Sequence, residues 1–130
     1  MMNMKKTIIH QFDPVIYPIK LWVISEMDGV IIQRSFRSSN GSELDMSESE
    51  GGICYTYGSL VVNKKTKDYG FMVVMKRDKT LNVGGIAHEA THVARLVWEH
   101  IMEDYPAREA DAYLVQWVSD CIDKVIKNKE

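Results

Sequence analysis

The hydrophobic pattern changes its period once along the chain. In the N-terminal part, short apolar runs alternate with turn signals, which is typical of β-strands. In the C-terminal part, apolar residues recur every three or four positions, which indicates helices. A first helix is predicted from Thr80 or Asn82 to about Asp104, and Pro106 separates it from a second helix over 107–127. The sequence therefore predicts an α+β fold, with an antiparallel β-sheet followed by two antiparallel helices.

The strand signals differ in strength. The segment 19–24 is rich in β-branched and aromatic residues and is bounded by proline and glycine turn signals. The segment 30–36 fits a strand or a short helix, and we favour a strand. The clearest pair is 53–62 with 70–76, which a polar, lysine-rich connection joins into a predicted hairpin. The lysines of this connection are expected to be solvated side chains at the hairpin tip.

Residues 37–52 have a different composition from the rest. They contain five serines, three glycines and four acidic residues. Such a segment cannot bury enough apolar surface to order itself, so we predict a mobile loop, which is also a candidate lid. With 130 residues, the whole chain (1–130) is predicted to be a single domain.

Composition and charge exclude several classes of function. The net charge of −2 gives no electrostatic signature for nucleic-acid binding. The longest apolar run has five residues, whereas a membrane helix needs about 20, so no membrane segment is expected. No secretory signal is recognisable, and Cys54 and Cys121 are too few for a disulfide framework. We therefore expect free thiols and a cytoplasmic location.

The first predicted helix contains a motif with metal-binding geometry. His88, Glu89 and His92 form an HExxH sequence. Residues four apart lie on one helical face, so both imidazoles can occupy corners of a tetrahedral metal site. Glu89 lies about 100° further round the helix, where it can take a proton from water at the metal. Two imidazoles and a carboxylate suit Zn²⁺.

A catalytic zinc site needs a third protein ligand and an open fourth position. Glu109 lies 17 residues after His92, near the start of the second helix, and packing of the two helices can bring it to the histidines. Cys54 is the alternative, because residues 50–54 weakly resemble the Glu-Gly-Cys segment of peptide deformylases. The sequence favours Glu109.

These motifs resemble a known class of enzyme. Residues 88–92 followed by 109–115 resemble the minimal zinc peptidases of the gluzincin group. The second segment is similar to the Glu-Ala-Asp/Asn-x-aromatic motif of ImmA/IrrE-type metallopeptidases. Residues 12–18 with 21–23 resemble small zinc-peptidase-like proteins encoded by bacteriophages. The resemblance implies a small zincin-like domain and, for a phage protein, a location in the host cytoplasm.

The resemblance also implies roles for individual residues. His88, His92 and Glu109 hold Zn²⁺, and Glu89 is the general base in hydrolysis of a peptide or protein substrate. Tyr113 is expected to donate to the oxyanion of the reaction. The substrate is expected to add as a strand along 71–76.

Other interpretations stay open for several side chains. Tyr105 is a second candidate for the oxyanion donor, and aromatic packing is the alternative for both tyrosines. Asp111 and Asp120 are candidate hydrogen-bond partners for a histidine N–H group. His100 lies off the ligand face and is expected to have no role.

Two other functions compete with the peptidase. The chain can be a catalytically silent zincin that acts as a binding module. Alternatively, zinc can join the two helices as a purely structural site, which normally requires four protein ligands.

Overall fold

A computed structural model describes residues 6–14, 19–46, 53–76, 81–101 and 108–127. In these segments six strands form one mixed sheet, and three helices accompany it. The α+β class predicted from the sequence is confirmed.

Six strands and one short helix come first along the chain, and two long helices follow them. The strands are β1 (Ile8–Phe12), β2 (Lys20–Ser25), β3 (Phe36–Ser38), β4 (Cys54–Thr56), β5 (Val61–Asn63) and β6 (Tyr69–Met75). The helices are α1 (Gly29–Ser35), α2 (Val83–His100) and α3 (Arg108–Lys127).

The sheet is built around the parallel pair β2 and β6. Its strand order is β1-β2-β6-β5-β3, and β4 pairs with β6 on the same edge as β5. All pairings are antiparallel except β2 with β6, where Val23 lies opposite Val73. The prediction of a wholly antiparallel sheet is therefore wrong. The chain leaves β2 through α1 and the three short strands β3, β4 and β5 before it returns, and this crossover delivers β6 in the same direction as β2.

Both central strands are buried on both faces, which explains their nearly continuous apolar sequences. Leu21 and Val23 face one hydrophobic cluster, which includes the apolar residues of α2 and α3. Trp22 and Ile24 face the second cluster, with Ile32 of α1. The molecule thus has two layers of core, one on each side of the sheet.

Helix α1 replaces the strand that we favoured for 30–36. Asp28 begins the helix, because its carboxylate accepts the N–H groups of Val30 and Ile31 at 3.0 and 3.4 Å. Ile32 is fully buried under the sheet. The preference for a strand was wrong, and the short helix that the sequence also allowed is present, because a short helix with one buried residue leaves little periodicity to detect.

The predicted loop 37–52 is structured where it is described. Its first two residues belong to β3, and Leu44 is buried in the second cluster. The Gln33 side chain donates to the Leu44 carbonyl at 2.8 Å, which links the segment to α1. Residues 47–52 lie outside the described part of the chain.

The hairpin and the two long helices follow the predicted pattern closely. Antiparallel pairing of 53–62 with 70–76 is confirmed, although the first strand is divided into β4 and β5. Helix α2 begins at Asn82, whose side chain accepts the Gly85 N–H at 2.7 Å. Within the described segments, no helix is long and apolar enough to span a bilayer.

Candidate metal centre on helix α2

The HExxH motif spans the second and third turns of α2, and its three functional residues have different exposures. His88 and His92 are exposed, whereas Glu89 is 7% exposed. The buried face of α2 packs on the sheet through its apolar residues, which are Ile86, Ala90, Val93, Ala94, Val97 and Trp98. Because Glu89 lies at the edge of this buried face, its carboxylate is directed toward the sheet, while the histidines face outward.

The two histidines are adjacent on one face of the helix, as the sequence predicts. Their Nε2 atoms are 3.1 Å apart, and their ring planes are nearly perpendicular at 83°. Two nitrogen ligands of a tetrahedral zinc ion lie about 3.4 Å apart, since each Zn–N bond is about 2.0–2.1 Å long. The pair therefore fits two corners of such a site almost without adjustment.

Strand β4 supplies a partner for Glu89 that the sequence analysis did not identify. The Thr56 hydroxyl lies 2.9 Å from Glu89 Oε1, to which it donates, and 3.3 Å from the Glu89 backbone carbonyl. A hydroxyl on the sheet face that packs against a helix needs a hydrogen-bond partner, and this requirement was the signal available in the sequence.

Cys54 lies two residues before Thr56, on the same side of β4, and packs against the first hydrophobic cluster. Burial raises the pKa of the Cys54 thiol, and the negative charge of Glu89 raises it further. The thiol is therefore neutral near pH 7. Cys54 is close to the motif in space, and a metal ion deprotonates a thiol that coordinates it, so the raised pKa of the metal-free thiol does not decide between Cys54 and Glu109.

Glu109 is exposed at the beginning of α3. Its neighbour Asp111 accepts the indole N–H of Trp98 at 2.7 Å and lies 3.9 Å from the Arg95 guanidinium. Trp98 is six residues beyond His92, a rise of about 9 Å along the helix. The first turn of α3 thus contacts α2 beyond the histidines rather than beside them.

The described residues contain no group of three His, Cys, Asp or Glu side chains that could hold a metal ion. The structure brings His88, Glu89 and His92 together and does not gather Glu109 with them. The two imidazoles fit zinc, and the third ligand, Glu109 or Cys54, stays a prediction.

The remaining candidates lie apart from the motif or outside the described residues. Tyr113 is 65% exposed on α3, and its role as oxyanion donor stays a prediction. Tyr105 belongs to the segment that is not described. Asp111 bonds to Trp98 rather than to a histidine, and Asp120 is exposed. His100 packs its ring edge-on against Tyr69 and Phe71.

The predicted substrate-binding edge at 71–76 is wrong. Strand β6 has β2 on one side and β4 with β5 on the other, so its backbone hydrogen bonds are used within the sheet. The strand that contacts the motif is β4, through Thr56.

Comparison with known proteins finds no match to a protein-family model, to a curated protein or to a solved structure. The candidate site is therefore argued from its own geometry.

Proposed function

We propose that this chain is a zinc-dependent peptidase of the small gluzincin type, in which His88 and His92 bind the metal and Glu89 is the general base. The observation that carries the proposal is the 3.1 Å separation of the two exposed Nε2 atoms. Helical spacing alone makes the two histidines neighbours, and their nitrogens lie close to the separation of two zinc ligands. The adjacent Glu89 supplies a carboxylate that can act as the acid–base group of hydrolysis.

In the proposed reaction the metal and the side chains of the protein have different tasks. Zinc, when bound, lowers the pKa of a water molecule to about 7 and polarises a substrate carbonyl. His88 and His92 present their nitrogens on the exposed face of α2, where a peptide can approach.

Glu89 accepts a proton from water at its carboxylate and returns it to the leaving amine. Thr56 holds one of the two carboxylate oxygens at a fixed position, and this leaves the other for the proton. Burial of Glu89 excludes bulk water from the base.

Elemental analysis of the purified chain tests the metal site. We expect one zinc per chain in the wild type and loss of zinc in His88→Ala and in His92→Ala, because each variant keeps only one of the two histidine ligands. His100→Ala is the matched control, since it removes another exposed histidine of α2, and it should keep the metal. Zinc retained in both His88→Ala and His92→Ala contradicts the proposal.

The same measurement on two further variants identifies the third ligand. Loss of zinc in Glu109→Ala supports the helix α3 carboxylate, whereas loss only in Cys54→Ala supports the β4 thiol. Because Glu109 is exposed, its removal is not expected to affect folding.

Catalysis is tested by Glu89→Gln, which keeps an oxygen for Thr56 but cannot take a proton. We expect zinc binding to be unchanged and hydrolysis of a peptide library to fall by about 10²–10⁴-fold. The competing proposal is a zincin-like binding module without catalysis. Wild-type zinc protein that cleaves no peptide supports the binding module instead.

A further inference from the structure

The face of the sheet opposite α2 and α3 carries a groove that the proposed peptidase site does not use. It has a volume of about 560 Å³, which is in the size range of small-molecule sites. Strands β1 and β2 contribute one part of its lining, and the end of α1 with the turn after β5 contributes the other. We name this feature the β1–α1 groove and define its polar lining by Gln11, Arg34, Ser35, Asn63, Lys64 and Lys65.

The charge of the β1–α1 groove has one sign. Arg34, Lys64 and Lys65 line it, and among the described residues no aspartate or glutamate does. None of these three cations forms an ion pair with a described residue. Lys64 uses one of its protons on the Gln33 carbonyl at 2.6 Å, which fixes the ammonium group beside the end of α1. The groove thus concentrates positive charge in a chain whose net charge is −2.

The amide side chains of the groove add donors to this charge. Gln11 Oε1 accepts the indole N–H of Trp22 at 3.0 Å, which leaves the Gln11 NH₂ group for a ligand. Asn63 Oδ1 accepts the backbone N–H groups of Lys65 and Thr66 at 2.9 and 3.1 Å, which leaves the Asn63 NH₂ group in the same way.

Ser35 is the one polar lining residue of the groove that does not offer an N–H donor. Ser35 donates its proton to the Ile31 carbonyl at 2.9 Å, so its oxygen is an acceptor. Five of the six polar lining side chains therefore offer N–H groups, and both amide oxygens are already used inside the protein. Such a lining suits an anion and disfavours a neutral or cationic ligand.

We propose that the β1–α1 groove binds a small organic phosphate that carries two or more negative charges. Three cations match a multiply charged ligand, and the fork of the Arg34 guanidinium with two amide NH₂ groups suits the tetrahedral oxygens of a phosphate. The net negative charge of the chain disfavours a polynucleotide.

Isothermal titration calorimetry with inorganic pyrophosphate as the probe tests this proposal. We expect a 1:1 complex with wild-type protein, weakened about tenfold by Arg34→Gln and by Lys65→Gln and weakened further by added salt. Lys124→Gln is the matched control, because it removes an exposed lysine of α3 and should leave the affinity unchanged.

Two isosteric variants test the role of the amide groups. Asn63→Asp keeps the oxygen that the turn requires and replaces the NH₂ donor by a second oxygen, and Gln11→Glu does the same beside Trp22. Each should weaken pyrophosphate binding by at least tenfold while thermal unfolding stays as in the wild type.

Several results would overturn the proposal. One is that no pyrophosphate binding is detected at protein concentrations that would reveal a Kd of about 1 mM. Another is that the groove variants bind pyrophosphate with the same affinity as the wild type. A third is that citrate binds as tightly as pyrophosphate. Tighter binding of a single-stranded oligonucleotide than of pyrophosphate would replace the small phosphate by a nucleic acid as the ligand. All these measurements use metal-free protein, because pyrophosphate and citrate chelate zinc, and none of them depends on peptidase activity.

Discussion

Glu89 has a different environment from the two histidines that accompany it in the motif. It is buried and bonded to Thr56, whereas His88 and His92 are exposed and contact each other. A carboxylate held by one hydroxyl keeps a fixed orientation without a competing positive charge. At the scale of single residues, Thr56 is therefore a positioning residue for the proposed base.

Replacement of Thr56 separates positioning from folding. We expect Thr56→Val to lower kcat about tenfold with little change in KM, because a hydrogen bond to a charged group contributes about 1.5–3 kcal/mol. Thr56→Ser keeps the hydroxyl and should restore kcat to within about twofold. Steady-state kinetics on a peptide substrate measure both variants, and a Thr56→Val enzyme with unchanged kcat contradicts the role.

The sequence predicted which functional residues are neighbours within one helix, but it did not predict which residues meet between different elements. The pairing of His88 with His92 follows from helical geometry alone, since residues four apart are always neighbours. The Thr56–Glu89 contact spans 33 positions of the sequence. No local pattern encodes such a contact, because it depends on how β4 and α2 pack.

At the scale of elements, the crossover from β2 to β6 is the decisive feature of the sheet. The parallel pair brings the backbones of Lys20 and Gly70 so close that a Cβ atom at position 70 would lie 2.0 Å from the Lys20 carbonyl oxygen. Only glycine fits this position. The sequence shows a glycine at the start of a strand but not which strand approaches it.

The close approach of β2 and β6 predicts the effect of a methyl group. Gly70→Ala should destabilise the fold by about 2 kcal/mol or more, because the three nearest atoms all belong to the Lys20 backbone and cannot move away independently. Gly58→Ala is the matched control, since its Cβ would meet nothing within 4 Å. Urea unfolding measures both, and equal stabilities for the two variants contradict the parallel pairing.

The position of Glu109 also depends on how elements pack. The sequence predicts a carboxylate on the second helix, but α2 continues for eight residues beyond His92, a rise of about 12 Å. The contact of Asp111 with Trp98 then places the start of α3 beside the end of α2. The length of α2 and the connection between the two helices determine which residues of α3 lie beside which residues of α2. Neither follows from the spacing of the motif.

At the scale of the whole molecule, the core between the sheet and helices α2 and α3 keeps both cysteines protonated near pH 7, since Cys121 is buried in it and Cys54 packs against it. Burial raises the pKa of Cys121 from 9.0 to about 12, against the opposing effect of Lys124. A group with a raised pKa in the folded state stabilises the protein fully below its unfolded pKa, and this contribution is lost as the pH rises toward the folded pKa.

Stability should therefore fall as the pH rises from about 9 toward 12. Cys121→Ala should be less stable overall, but its free energy of unfolding should fall less over this interval, because one buried thiol no longer titrates. Urea unfolding at a series of pH values compares the two slopes. Identical slopes for Cys121→Ala and the wild type contradict the effect of burial on this thiol.

The sequence by itself determined the α+β class, the two long helices and the pairing of His88 with His92, because these depend on local periodicity and helical geometry. The tertiary structure alone decided the parallel pairing of β2 with β6, the Thr56–Glu89 contact and the location of Glu109. These features depend on free energies of packing between segments far apart in the chain, which no local pattern of residues records.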